Sequence, residues 1–469
     1  MYFQLKNDRF TKKLSLGITR LMLAAKGDNL KSCLKLIEQG ENADDRTALG
    51  VSLLHFAAVN ATHGLGIICY FFTYHGLGTA TDSDGEEPIH YATRRGYFNI
   101  AQKLLEMRPT RFKNLLHFFV AENQIEMVSL VHSHDKSLLR GVDPDGRNAL
   151  HLAAEFADTI MCEWLIYRGV DTKALSANKA TIVHHAVQNK LNARRIVRYL
   201  ANWKLKMDEE NESGETPIEL ALFLGNADCA LELLCSGAKI RTKNLLLFCV
   251  KQNQTNSAQL VHLSDKGQIN EVDSKGRNAI HLAAERADLK MCEWLVSVGV
   301  DATALCTERK SSALHRVGLN KEHGENLVRF FLSLGLSLSK RDEHGETPLH
   351  FALRASNLKV AEEMVTLGAD LMVVVNDLNI LHFCVRQKNL ESAQFVHKWN
   401  SEMIMKVNLG GKTALHYAAE TADLEVCQWL IEAGVNINAR TFEMKSALSF
   451  VPSNDVKVRR YLMSLGMRN

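Results

Sequence analysis

The feature that most limits what this chain can fold into is a ten-residue segment that returns twice, nearly unchanged. Gly146–Glu155 (GRNALHLAAE) reappears as Gly276–Glu285 (GRNAIHLAAE) and again as Gly411–Glu420 (GKTALHYAAE). A shorter form stands at Gly85–Ala92 (GEEPIHYA) and Gly345–Ala352 (GETPLHFA). Recurrence on this scale marks small helical units, none of which buries its apolar face alone, so that stability comes from stacking neighbours. A chain of 469 residues is then not two or three unrelated globules but one elongated array.

These segments resemble the ankyrin repeat, whose motif G-x-T-P-L-H-x-A-A is followed by an apolar helix and then G-A-D or G-V-D. Gly299-Val300-Asp301, Gly368-Ala369-Asp370 and Gly434-Val435-Asn436 supply that second half. With the motif histidine or its substitute as landmark, the repeats fall at Met22, His55, His90, His117, His151, His184, Glu219, Leu247, His281, His315, His350, His382, His416 and Ser449. That is about fourteen repeats of roughly 33 residues, numbered 1 to 14 below. They cover residues 17–469, with residues 1–16 as an N-terminal extension.

The spacings carry a second order. They run 33, 35, 27 and 34 from Met22, 33, 35, 28 and 34 from His151, then 34, 35, 32 and 34 from His281. A four-repeat block is copied in tandem, giving blocks at about 17–145, 146–275 and 276–410 and a partial block at 411–469. The expected fold is all-α: a solenoid of helix-turn-helix repeats with short β-hairpin or loop fingers. The resemblance implies a role in protein–protein interaction, through the loop tips and the concave face of the first helices.

Each unit has local signals that agree with this. Leu424, Cys427 and Ile431 fall at i, i+3 and i+7, one face of a second helix. Gly434 then ends the helix with a left-handed residue. Asp82-Ser83-Asp84-Gly85, Asp143-Pro144-Asp145-Gly146 and Asp342-Glu343-His344-Gly345 are turn chemistry. The motif histidine is read as structural, its two ring nitrogens tying one loop to the next. Trp164, Trp294 and Trp429 are read as core, because ankyrin second helices usually carry Leu there.

Composition narrows the function. The net charge is +3, with 56 Lys and Arg set against 53 Asp and Glu. That balance favours neither nucleic acid nor a membrane surface. The apolar run Leu65–Tyr74 is about half the roughly 20 residues of a membrane span, and Met1–Lys6 does not read as a signal sequence. Ten scattered cysteines without C-x-x-C pairs fit free thiols in a reducing cytoplasmic setting, the nucleus remaining open.

No nucleophile elbow, phosphate loop, H-E-x-x-H helix or kinase signature is present. The expectation is therefore a non-enzyme with no cofactor, no metal and no small-molecule substrate, whose partners are other proteins. His132-Ser133-His134-Asp135 and His184-His185 have the residue types of a metal site, but His132, His262 and His397 recur four repeats apart and cannot converge on one ion.

Candidate contact residues come from where the framework repeats and its decoration varies. Arg94 and Arg95 follow the motif in repeat 3, Glu155 and Phe156 in repeat 5, Glu285 and Arg286 in repeat 9, Glu420 and Thr421 in repeat 13. The shortened third spacing gathers Arg108, Arg111 and Lys113 in block one and Lys239, Arg241 and Lys243 in block two, either solvated connectors or two basic notches suited to an acidic partner. Block three restores the length and inserts Leu371–Val375, where the resemblance to ankyrin repeats implies that Val374 and Val375 lie near a loop tip, exposed or packed on a neighbour. Trp399, read as lying past a second helix, is a further contact candidate. The first reading is a scaffold or adaptor. Its rivals are a regulatory subunit or inhibitor of an enzyme, channel or transcription factor, a substrate adaptor of a ubiquitin ligase and, more remotely, an enzyme of unfamiliar type.

Overall fold

The computed structural model describes residues 17–78, 81–107 and 115–468. The N-terminal extension lies outside them, as do Arg108, Arg111 and Lys113 of the first basic notch. Every landmark falls on a helix that is followed by a second one. Ala149–Phe156 with Thr159–Tyr167 is repeat 5, Ala279–Arg286 with Leu289–Ser297 is repeat 9, and Ala414–Glu420 with Leu424–Glu432 is repeat 13. In repeat 14 the first helix shortens to a 3₁₀ turn, Ala447–Phe450, before Val456–Ser464. The four-repeat order appears as a structural mark: a 3₁₀ turn follows the second helix in repeats 4, 8 and 12, at Lys136–Arg140, Lys266–Asn270 and Ser401–Met405.

By contact density the chain divides into two compact units. One holds residues through Leu220 together with Glu232–Ala238; the other holds Ala221–Leu231 and everything from Lys239 onward. The division runs through the helices of repeat 7, Pro217–Phe223 and Ala227–Cys235.

Within each unit the helices start and stop where local chemistry directs. Asn148 caps Ala149–Phe156 by accepting the Leu150 and His151 backbone N–H groups, and Asp158 caps the next helix by accepting that of Met161. Gly434, at φ 93°, ends Leu424–Glu432 in the left-handed region as its sequence suggests. The fully buried face of that helix is Val426, Cys427 and Leu430, whereas Leu424 and Ile431 are half-buried. The arc predicted from spacing is thus shifted, because a second helix packs on its own first helix and on second helices to either side, and its flanks carry apolar residues too.

Five of the motif histidines act as the expected ties, whereas, among the described residues, His117, His151, His350 and His382 bury an Nε2 without a hydrogen-bond partner. His184 Nδ1 accepts the Thr181 N–H at 3.1 Å while Nε2 donates to the Glu215 carbonyl of the following repeat at 2.9 Å. The same reach to the following repeat is made by His55, His281, His315 and His416. Where the histidine is missing, Glu219 accepts the Thr216 N–H at 3.0 Å in repeat 7. In repeat 8 Gln268, folded back from the 3₁₀ turn, bridges the Leu246 N–H and the Thr242 carbonyl, both at 3.2 Å.

The fingers are short. Among the described residues β-pairing is limited to isolated bridges, Arg46 with Ser52, Val142 with Asn148, Val375 with Leu378 and Arg440 with Ser446. Successive fingers are joined by a main-chain bond, as from Ala177 N to Asp145 O at 2.8 Å and from Phe442 N to Gly410 O at 3.1 Å.

Candidate functional site

The first-helix face of the second unit, which holds Ala221–Leu231 and everything from Lys239 onward, carries an open groove of about 460 Å³. It crosses three repeats, from the end of Leu245–Lys251 through the end of Ala279–Arg286 to the turn that follows Ala313–Val317. Lys251, Arg286 and Lys321 project from its three members, with Asn253, Glu285 and His323 between them. All three cations are solvent-exposed. Arg286 lies 3.6 Å from Glu285, and among the described residues neither lysine has an ion-pair partner.

Glu285 behaves differently from its neighbours in the groove. Arg277, in the finger of the same repeat, donates to it at 2.7 Å while also holding Asp273 at 2.8 Å, and Arg316 of repeat 10 stands 3.9 Å away. The equivalent Glu155 takes Arg147 at 3.2 Å and His185 Nδ1 at 2.8 Å, and Glu420 takes Lys412 at 3.0 Å. The glutamate after the alanine pair is thus occupied by the fold, and the next position is the exposed one. Phe156 is 48% exposed, and Arg286 stands equally open.

The other sequence candidates divide in the same way. Arg94 is spent: it makes a bidentate pair with Glu86 at 2.7 and 2.5 Å, approaches Glu122 at 3.6 Å and lies over the Phe118 ring. Arg95, beside it, faces solvent. Lys239, Arg241 and Lys243 are all exposed on the short connection between repeats 7 and 8.

The two valines of block three separate. Val374 is 52% exposed, whereas Val375 is 5% exposed and bridged to Leu378. Asn376 and Asp377 both have positive φ, 49° and 64°, which makes the finger a two-residue hairpin, and its alternating pleat turns one valine out and the other in. Two further finger tips expose apolar side chains, Leu409 and Phe442. Trp399 is the last residue of Leu390–Trp399 rather than beyond it, rests against Phe395 and is 40% exposed.

Trp164, Trp294 and Trp429 are half-buried, not fully enclosed. Each meets a histidine of the preceding repeat edge-on: His132, His262 and His397, at centroid distances of 5.6, 6.1 and 5.9 Å. Those histidines are therefore packing elements, and Asp135 accepts the Ser137 N–H at 2.8 Å to cap its 3₁₀ turn. Among the described residues no group of three or more His, Cys, Asp or Glu side chains is placed to hold a metal ion, and no helix is long and apolar enough to cross a membrane. Sequence reasoning found Arg286 but not Lys251 or Lys321. Their signal was faint, since Lys321 sits in a turn whose length differs from that of the other repeats.

Stacked helix pairs with capped first helices, histidine ties and short fingers define a helical-repeat solenoid. The chain belongs to the ankyrin-repeat family: the family model for ankyrin repeats (3 copies) matches residues 21–113, 153–244, 288–375 and 372–441, more than half of the sequence. Ankyrin repeats form a non-catalytic fold that mediates protein–protein interaction.

Among its relatives is the human transient receptor potential cation channel subfamily A member 1, 25% identical over 396 residues, which span 72% of this chain and 35% of that protein. Rabankyrin-5 of Mus musculus is 24% identical over 48% of this chain and 19% of its own length. The chain thus spans about a third or less of these relatives. The crystal structure of the ankyrin-repeat domain of Bcl-3, a member of the IkappaB protein family, overlays with a TM-score of 0.36 at 20% identity, covering 48% of this chain and 99% of that one.

Proposed function

We propose that this chain is an interaction scaffold or adaptor that holds a segment of a partner protein along its first-helix face. The observation that carries this reading is the open groove over repeats 8 to 10, over which the exposed Lys251, Gln252, Arg286 and Lys321 stand clear of the bonds that hold the fold. In the same repeats the framework groups are committed to one another: Glu285 to Arg277, His281 to Ser311 and His315 to Glu346. Exposed polar groups left over beside a frame whose own groups are tied to one another are the ordinary anatomy of a recognition surface. The ten free cysteines, most of them buried, fit a reducing cytoplasmic setting.

A photocrosslinking residue placed at Arg286 or Gln252 tests the reading in extract from the native cell type. Discrete adducts with a small set of proteins are expected there, and none when the same residue replaces Thr366, at the exposed end of a second helix. Equal, diffuse labelling at all three positions would remove the support for a specific partner.

A further inference from the structure

Exposed cations recur on the first-helix face beyond the groove itself. Lys251 ends the first helix of repeat 8, Arg286 that of repeat 9 and Arg386 that of repeat 12, while Lys321 and Lys388 lie in the turns that follow in repeats 10 and 12. Repeat 11 offers Arg354 at the same position, although Glu346 holds it. Among the described residues Lys251, Lys321, Arg386 and Lys388 have no ion-pair partner. The acids that could neutralise them are few. Glu285 is taken by Arg277, Glu346 by Arg354 and Arg309, and Asp288 accepts the Met291 N–H as the cap of its helix, which leaves Glu322, directed to solvent and 3.8 Å from His323.

The unit that begins at the N-terminus carries exposed cations at equivalent places, Lys26, Arg95 and Lys190, but they are interrupted: Arg94 is paired with Glu86, and Glu122, the aromatic Phe156 and the neutral Gln188 stand between them. Net charge over the whole chain hides this local run of cations.

We infer that the row of cations over repeats 8 to 12 is a docking rail for an extended, acidic segment of a partner protein, with an acidic residue at about every third position. The inference rests on the scaffold reading and names the chemistry of its partner. Charge complementarity selects the sign, and geometry selects the spacing. Packed helices stand about 8–10 Å apart, and a segment in the polyproline II conformation rises about 3.1 Å per residue with three residues per turn, so every third side chain shares one face and meets the next repeat. Arginine and lysine at the ends of first helices also complement the negative end of the helix dipole, so the fold tolerates a row of cations there. A single-stranded nucleic acid fits less well, since such ligands are held by aromatic platforms as well as charge and no Phe, Tyr or Trp lines the groove.

The test uses the full chain and a fluorescein-labelled peptide of about fifteen residues carrying Glu at every third position among Ser and Gly, read by anisotropy. Saturable binding is expected, weakened at least tenfold by the triple change K251E/R286E/K321E and at least tenfold by raising salt from about 50 to 300 mM. The same peptide with Gln for Glu should not bind, and K239A/R241A/K243A should leave the affinity unchanged. Since all three rail residues are exposed, the triple variant should keep the parental circular dichroism spectrum and melting temperature. K251R/R286K/K321R, which preserves charge, should bind as the parent does even if the reversal disturbs folding.

Tighter binding of a fifteen-base deoxythymidine strand, or loss of peptide affinity in the Lys239 triple variant rather than the rail variant, would overturn the inference. So would absent peptide binding, and the crosslinking at Arg286 then separates the two claims. Specific adducts there with no affinity for the peptide refute the acidic chemistry alone; neither adducts nor affinity refutes the scaffold as well.

Discussion

Asn189 makes four hydrogen bonds from one buried side chain. Its amide donates to the Ala154 and Ala157 carbonyls of the preceding repeat at 3.1 and 2.9 Å, and its carbonyl accepts the Leu191 and Asn192 N–H groups at 3.1 and 2.8 Å. Asn60 and Asn320, its counterparts one block away, reach back in the same manner to Ala25 and Asp28 and to Ala284 and Ala287. Asn189→Ala strands buried donors and acceptors, each costing about 1–3 kcal/mol when left unpaired. A loss of roughly 2–4 kcal/mol in urea unfolding followed by circular dichroism is expected, and an unshifted midpoint would show that these bonds hold nothing. The histidine tie was legible from sequence because it sits inside a recurring motif. The asparagine tie was not, since a lone Asn after a helix reads the same whether it ends a turn locally or reaches into the next repeat.

The fingers hold the chain together by main-chain contact, and one glycine position shows how closely they approach. Gly411 has φ 77°, and a Cβ placed there would lie 2.9 Å from the backbone nitrogen of Phe442, the atom that bonds Gly410 O. Gly434 has φ 93° and open space around the same point. Gly434→Ala therefore meets only the left-handed penalty of about 1–2 kcal/mol, whereas Gly411→Ala adds a collision with backbone that cannot swing aside. We expect the second variant to be the less stable of the two, and the Phe442 amide to exchange with solvent at least tenfold faster in it, while amides of Leu424–Glu432 keep their protection. Equal melting temperatures for the two would contradict the argument. At this scale helix starts, stops and repeat length could be read from spacing and caps. The hairpin that buries Val375 and exposes Val374 could not, because Asn376-Asp377 fixes the pleat only when both residues take positive φ, and composition allows other turns.

Across the whole molecule the repeated histidine becomes a repeated liability to acid. Burial holds His55, His151, His281, His315, His350 and His382 near a pKa of about 4, against 6.5 in the unfolded chain. The folded rings are neutral where the unfolded ones already bind protons, so stability rises with pH through this window. The contribution is complete above about 6.5 and is withdrawn as pH falls toward 4, at a cost that reaches on the order of 3 kcal/mol for each fully shifted ring. Two or three such rings match the stability of an ordinary domain. Asp143, Asp273 and Glu346 have their carboxyl groups held below the usual range by hydrogen bonds and ion pairs with Arg147, Arg277 and Arg354 against the opposing effect of burial. Their loss begins only at lower pH, as those carboxylates take up protons, so the histidines govern the first descent. The melting temperature should fall steeply between about pH 6.5 and 4.5, with cooperative unfolding before pH 4. His184→Gln, in which the side-chain carbonyl can accept the Thr181 N–H without titrating, should lower stability at pH 7 yet flatten that slope. A melting temperature constant from pH 7 to pH 5 would mean that these rings are not shielded from protons in the folded chain.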